Sequence, residues 1–156
     1  MKRIFISLIV GVFALGVGIA SAESEVDAWY LSQSDEYMVR DSIRGNLHAL
    51  MSTSKAGKPY VYIFMYDSDC ENDDGNITTH NPLKINGVLT RYNQYCDGSR
   101  RYFLPATDAG REHLINEFKK RNFVEVATHD DSFRSLFSAK GFTDIYNKVV
   151  LTQSGI

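Results

Sequence analysis

Two turn dipeptides constrain this chain more than any other feature: Asn86-Gly87 and Asp97-Gly98. Asn-Gly is the favoured central pair of a type I′ turn, because both residues need φ > 0 and the turn's twist then matches its strands. Leu83-Lys84-Ile85 leads into the first pair and Val88-Leu89 leads out of it. The run from Val88 to Cys96 ends at the second pair, and Arg100 to Leu104 follows. This spacing predicts three antiparallel strands in a meander.

The flanking segments extend the same pattern. Leu47, Ala49, Met51 and Thr53 alternate with His48, Leu50 and Ser52, the period-two signature of a strand with one face inward. After the turn chemistry of Ser54-Lys55-Ala56-Gly57-Lys58, the segment Tyr60 to Tyr66 is apolar, aromatic and β-branched, and predicts a central strand covered on both faces. Trp29-Tyr30-Leu31 predicts a first strand. Pro105 ends the sheet pattern. Thr107 or Asp108 caps a helix with the stripe Leu114, Ile115 and Phe118, and Lys119-Lys120-Arg121 load its last turn, where cations complement the dipole. Phe123 to Ala127 and Phe133 to Ala139 pair across a turn at His129-Asp130-Asp131-Ser132. Gly141 introduces a closing helix with Phe142, Ile145, Tyr146 and Val149 on one face. The expected fold is α+β and β-rich: about eight short strands in an antiparallel β-sandwich or partly open barrel, with a mid-chain helix and a C-terminal helix.

The chain opens with Lys2-Arg3, an uncharged apolar run from Ile4 to Ile19, and the small residues Ala20-Ser21-Ala22. That is the pattern of a secretory signal peptide cleaved after Ala22, and the run is short for a membrane span. Residues 23–156 then form a single globular domain, periplasmic or secreted, without repeats, linkers or a second apolar run of spanning length. Loss of Lys2 and Arg3 makes the formal net charge of −2 more acidic by two units, which argues against nucleic acid as the partner. Both cysteines, Cys70 and Cys96, fall in the exported part, and an even count in an oxidising compartment predicts a disulfide.

Three constellations could carry chemistry. The loop containing Asp67, Asp69, Glu71, Asp73 and Asp74 invites calcium, which takes six to eight oxygens. With Gly75 at the sixth position of an EF-hand loop, however, Cys70 and Asn81 occupy the first and twelfth, where carboxylates belong. A solvated excursion anchored by the disulfide is the preferred reading, and no cofactor is required. His113 and Glu117 lie four apart on the predicted helix, and with His80 or His129 could serve a small hydrolase. No G-x-S-x-G nucleophile elbow accompanies them. The third constellation is Arg91, Tyr92, Tyr95, Arg100, Arg101 and Tyr102 on two adjacent strands. Tyr and Arg are efficient contact residues, so a shared face of this composition would suit a protein or glycan. Asn76-Ile77-Thr78 also matches a glycosylation acceptor.

An early tryptophan (Trp29), a hairpin, a Cys-bearing strand (Cys96), a short helix, a strand pair and Ser138-Ala139-Lys140-Gly141-Phe142-Thr143 follow one another in this chain. In this order of features it resembles the invasion-associated locus B family of secreted bacterial proteins. The resemblance implies a non-catalytic β-sandwich linked to the envelope or to host contact. The expectation is therefore an exported binding protein that contacts another macromolecule of the envelope or exterior. A periplasmic hydrolase and a calcium-stabilised module are the alternatives.

Overall fold

The computed structural model describes residues 24–154, so the predicted leader lies outside the described residues. Among the described residues nine strands form a single antiparallel sheet: β1 (Tyr30–Leu31), β2 (Tyr37–Arg40), β3 (Leu47–Thr53), β4 (Pro59–Tyr66), β5 (Thr78–Ile85), β6 (Val88–Asp97), β7 (Arg100–Pro105), β8 (Phe123–Thr128) and β9 (Arg134–Ser138). Helix α1 (Asp108–Lys120) separates β7 from β8, and α2 (Phe142–Ser154) ends the fold. The order across the sheet is β1-β2-β3-β4-β7-β6-β5-β8-β9. The sheet curls into a half-barrel, and both helices fill its concave side. Among the described residues all strands belong to one sheet, nearer the expected partly open barrel than a sandwich of two facing sheets. Two helices supply the apolar layer against its concave side.

Local chemistry accounts for most of these boundaries. Asn86 and Gly87 both adopt positive φ, 46° and 83°, as a type I′ turn requires, and Ile85 pairs directly with Val88. Thr107 caps α1 by accepting a hydrogen bond from the Gly110 amide at 3.1 Å. Gly110 also lets α1 approach β6, since a Cβ there would stand 2.8 Å from the Thr90 methyl. Two strands exceed the expectation. β2 has four residues, too few for a legible period, and Tyr37 and Val39 face inward while Met38 joins a cluster on the other face. β5 starts at Thr78, within the predicted loop. Its register shifts between His80 and Leu83, where Pro82 cannot donate to the ladder.

The core lies between the helices and the concave face. Leu114, Ile115 and Phe118 of α1 and Phe142 and Ile145 of α2 pack on Val39, Ala49, Val61, Ile63, Ile85, Tyr92, Val124 and Phe137. Trp29 is buried against both helices, with ring centroids 5.3 Å from Phe118 and 5.1 Å from Phe142. Its amide donates to the Lys140 carbonyl at 2.9 Å, and the Ser138 hydroxyl donates to the Asp27 carbonyl. The Ser138–Thr143 segment therefore docks the N-terminal arm at the start of α2, helped by Gly141 at φ 83°.

The two ends of the curled sheet meet at Asp41. Its carboxylate is 1 % exposed. It accepts from the amides of Ile43, Arg44 and Gly45 just beyond β2, at 3.1, 3.0 and 3.2 Å, and from the Leu136 amide of β9 at 2.9 Å. The Ser42 amide donates in turn to the Leu136 carbonyl at 2.9 Å. At the long β4–β5 connection a disulfide joins Cys70 to Cys96 of β6.

Two stability outcomes follow. Asp41→Ala removes a buried carboxylate that four backbone amides share as acceptor and should cost about 3 kcal/mol in urea unfolding, whereas Asp41→Asn, which keeps one oxygen, should cost less. Replacing both cysteines by serine should cost about 3.5 kcal/mol by loop-closure entropy. An unchanged urea midpoint in either case would refute the corresponding role.

Candidate functional site

The convex side of the sheet is aromatic, and among the described residues the helices reach it only at Tyr60, where the guanidinium of Arg111 of α1 lies 5.9 Å from the ring centroid. In β4, Val61, Ile63 and Met65 turn inward to the main core, while Tyr60, Tyr62, Phe64 and Tyr66 turn outward. The ladder extends this outward row. His48 of β3 faces Phe64, Phe64 faces Tyr102 of β7, and Tyr102 faces Tyr95 of β6. Directly opposed residues on one face are the closest side-chain neighbours in a sheet, so the rings meet. His48 stacks on Phe64 at 4.9 Å and Tyr95 on Tyr102 at 5.1 Å, while Tyr60 stacks on Tyr62 at 5.1 Å. Met38 and Leu50 fill the space beside them, giving a second apolar cluster separate from the main core. Phe64 is fully buried by this arrangement, whereas Tyr60, Tyr62 and Tyr95 keep part of their rings in solvent and Tyr66 is 60 % exposed.

Arg100 organises the end of the row. Its guanidinium lies 4.6 Å from the Phe64 ring centroid and 5.5 Å from that of Tyr66. It donates to both carboxylate oxygens of Glu36, at 2.9 and 3.0 Å, and to the Tyr102 hydroxyl at 3.3 Å. Burial opposes its charge, but these hydrogen bonds outweigh that effect and raise its pKa above the usual value. Burial, with the neighbouring hydroxyls of Tyr62 and Tyr102 and the Asp97 carboxylate, pushes the Tyr95 hydroxyl up to about 12. Burial, reinforced by Arg40 and Arg100, lowers the His48 pKa, and its Nδ1 atom is buried without a hydrogen-bond partner. The face is thus a row of neutral rings with one fixed cation.

The structure divides the six residues expected on one Tyr/Arg face. Tyr95, Arg100 and Tyr102 lie together on the convex side, and the alternation of β6 puts Arg91 there too, exposed and outside every ion pair among the described residues. Tyr92 belongs instead to the main core and is 0 % exposed, with burial raising its pKa far beyond the normal range. Arg101 also alternates to the opposite side, where its Nε donates to Asp67 at 2.6 Å. Side chains one residue apart in a strand point to opposite faces, so Arg91 and Tyr92, or Arg100 and Arg101, cannot share one. Sequence reasoning missed Tyr60, Tyr62, Phe64, Tyr66 and His48, because Tyr60 to Tyr66 was expected to be covered on both faces. The strict alternation of aromatic with aliphatic residues in that segment was the available signal.

The other two constellations adopt local roles. In the acidic loop, Asp67 accepts from Arg101 and from the Asp69 amide, Asp73 from the Gly75 amide, and Asp74 from the Asn76 amide and side chain. Among the described residues no three His, Cys, Asp or Glu side chains gather in a metal-binding group. The His113 ring nitrogen Nε2 lies 3.3 Å from the Ile85 carbonyl oxygen. Glu117 accepts from Asn86 Nδ2 at 2.7 Å, the leading cause of its lowered pKa. Both side chains hold the β5–β6 turn against α1. His80 faces Tyr92 across the β5–β6 ladder and His129 is exposed in the β8–β9 turn, so the four groups do not converge on one cleft.

His48 gives the row a testable pH signature. An imidazole whose pKa is lowered by folding takes up its proton more readily when unfolded, so its stabilising contribution is present above about pH 6.5 and shrinks as pH falls through that range. Wild-type stability should therefore drop between pH 7.5 and 5 by more than that of His48→Gln, measured by urea unfolding at each pH. Parallel profiles would remove His48 from the account.

Compared with family models, curated proteins and solved structures, the chain matches none.

Proposed function

We propose that this chain is an exported, non-enzymatic binding protein that contacts another macromolecule, a protein or a glycan of the envelope or exterior, through its convex sheet face. The observation that carries this reading is the outward row of Tyr60, Tyr62, Tyr66 and Tyr95 built on Phe64 and Tyr102. Partly exposed tyrosines present large, rigid rings and a polar hydroxyl at little entropic cost on binding, which is why they concentrate at recognition surfaces. Arg100 is already paired with Glu36 and acts as a brace for the rings, while exposed Arg91 supplies a charge at the border. Export rests on the leader pattern of residues 1–22 and on the disulfide, a bond that persists in oxidising compartments. No helix among the described residues is long and apolar enough to cross a membrane. The resemblance to the invasion-associated locus B family belongs to this proposal, which it suits by its non-catalytic envelope character.

The test is capture from cells expressing the tagged chain, using a photoreactive residue placed at Tyr66, followed by identification of the cross-linked species. One reproducible partner is expected. Its capture should fall at least tenfold in Tyr62→Ala/Tyr95→Ala, and in Arg91→Glu, an exposed substitution that leaves packing intact. Undiminished capture by both variants would overturn the choice of face.

A further inference from the structure

The concave side of the sheet holds a second feature, independent of the convex face. Where the helices stop, Leu47, Ile63, Met65, Leu83, Phe103 and Phe133 line an open pocket of about 310 Å³. No helix residue contributes to it. The β5 bulge at Pro82 matters here: before it His80 faces Tyr92, after it Leu83 faces Thr90, and both His80 and Leu83 reach the pocket wall. The few polar groups in that wall are already satisfied by their own chain. His80 Nδ1 is 2.7 Å from the Asn81 carbonyl oxygen, and its ring meets Phe103 edge to face at 4.9 Å. The Thr128 hydroxyl accepts from the Phe133 amide at 3.0 Å. A wall of this kind offers its occupant apolar contact and almost no hydrogen bonding.

The rim has the opposite chemistry. The guanidinium of Arg44 lies 4.9 Å from the centroid of the Phe133 ring that lines the pocket. Arg44 is exposed, and Asp41 holds its backbone by accepting the Arg44 amide at 3.0 Å. The neighbouring cations are neutralised: Arg101 by Asp67 at 2.6 Å, Lys84 by Asp131 at 2.7 Å, and Arg134 by Glu125 at 3.6 Å. Arg44 takes part in no ion pair among the described residues. An apolar pocket beside an unneutralised guanidinium is complementary to a molecule with an apolar chain and a compact anionic head.

We propose that the open end of the half-barrel binds a single-chain anionic amphiphile, its chain against Met65, Leu83 and Phe103 and its head against Arg44. The volume is near the lower end of the range for ligand pockets, roughly 300–1,000 Å³, which suits one short chain and excludes a two-chain lipid.

Calorimetry and amide-shift mapping on the mature chain with decanoate, decan-1-ol and decyltrimethylammonium, each below its micelle concentration, test this directly. Decanoate should bind one to one with shifts centred on β4, β7 and the β8–β9 turn. It should bind more tightly than the alcohol, and the cationic amphiphile should be weakest. Arg44→Gln, an exposed change, should weaken decanoate about tenfold and leave decanol unaltered. Met65→Trp, which fills the pocket at a half-buried position, should abolish both. Tyr62→Ala/Tyr95→Ala should leave decanoate binding unchanged, so failure of the convex-face reading and failure of this one are separable. Equal affinity for all three probes would overturn the anionic head. No binding, shifts outside the pocket, or a dimer that occludes it would overturn the site.

Discussion

The buried carboxylate of Asp41 joins the two ends of the sheet, and the geometry of both faces depends on that junction. A nine-stranded sheet left open would present backbone donors and acceptors along its edges. Here β1 covers β2 for only two pairs, Tyr30 with Met38 and Leu31 with Tyr37. Beyond them, Asp41 and Ser42 bond Leu136 of β9, and Trp29 bonds Lys140. Three further amides of the 43–45 turn converge on the same carboxylate, so a single side chain both stitches the sheet and shapes the turn that carries Arg44. The carboxylate is buried, and four amides share it as acceptor, so its loss removes several charge-assisted hydrogen bonds at once.

Curling separates two kinds of apolar chemistry. The concave side collects aliphatic residues and a cluster of three aromatics, with Phe142 stacked on Phe118 and Trp29 edge-on to Phe118, under two helices whose stripes match it. The convex side collects rings that cover one another. Phe64 is fully buried there without any overlying helix, enclosed by His48, Tyr66, Tyr102 and the Arg100 guanidinium. A cation on a ring gains most when water is excluded, and the Glu36 carboxylate fixes Arg100 where it can provide that cover. The outer tyrosines thereby pack against neighbouring rings while part of each ring remains accessible.

Elements with strong local signals were legible in advance: the Asn86-Gly87 turn, the Thr107 cap, the stripe of α1, the β8–β9 pair and the Cys70–Cys96 link. Each depends on residues close in sequence or, for the cysteines, on an even count. β2 was illegible because four residues show no period, and the start of β5 because the bulge at Pro82 breaks the alternation. Of the Tyr/Arg surface, Tyr95, Arg100 and Tyr102 lie together, but strand alternation removes Tyr92 and Arg101 from it. The larger part of that face, from Tyr60 to Tyr66, was hidden by reading a continuous apolar run as uniformly buried.

The sequence by itself determined the β-rich class, the two helices, the order of turns and the cysteine pairing, since these follow from side-chain periodicity, from the φ that particular residues tolerate and from cysteine number. Only the tertiary structure decided that one curled sheet forms instead of two facing ones, which side of each strand meets the helices, and that Arg44, remote in sequence from Phe133, stands over its ring. Those outcomes depend on which strands become neighbours. β4 pairs with β7 and β5 with β8 because the disulfide-bearing connection and α1 carry the chain across the sheet, and no local preference in the strands specifies that choice.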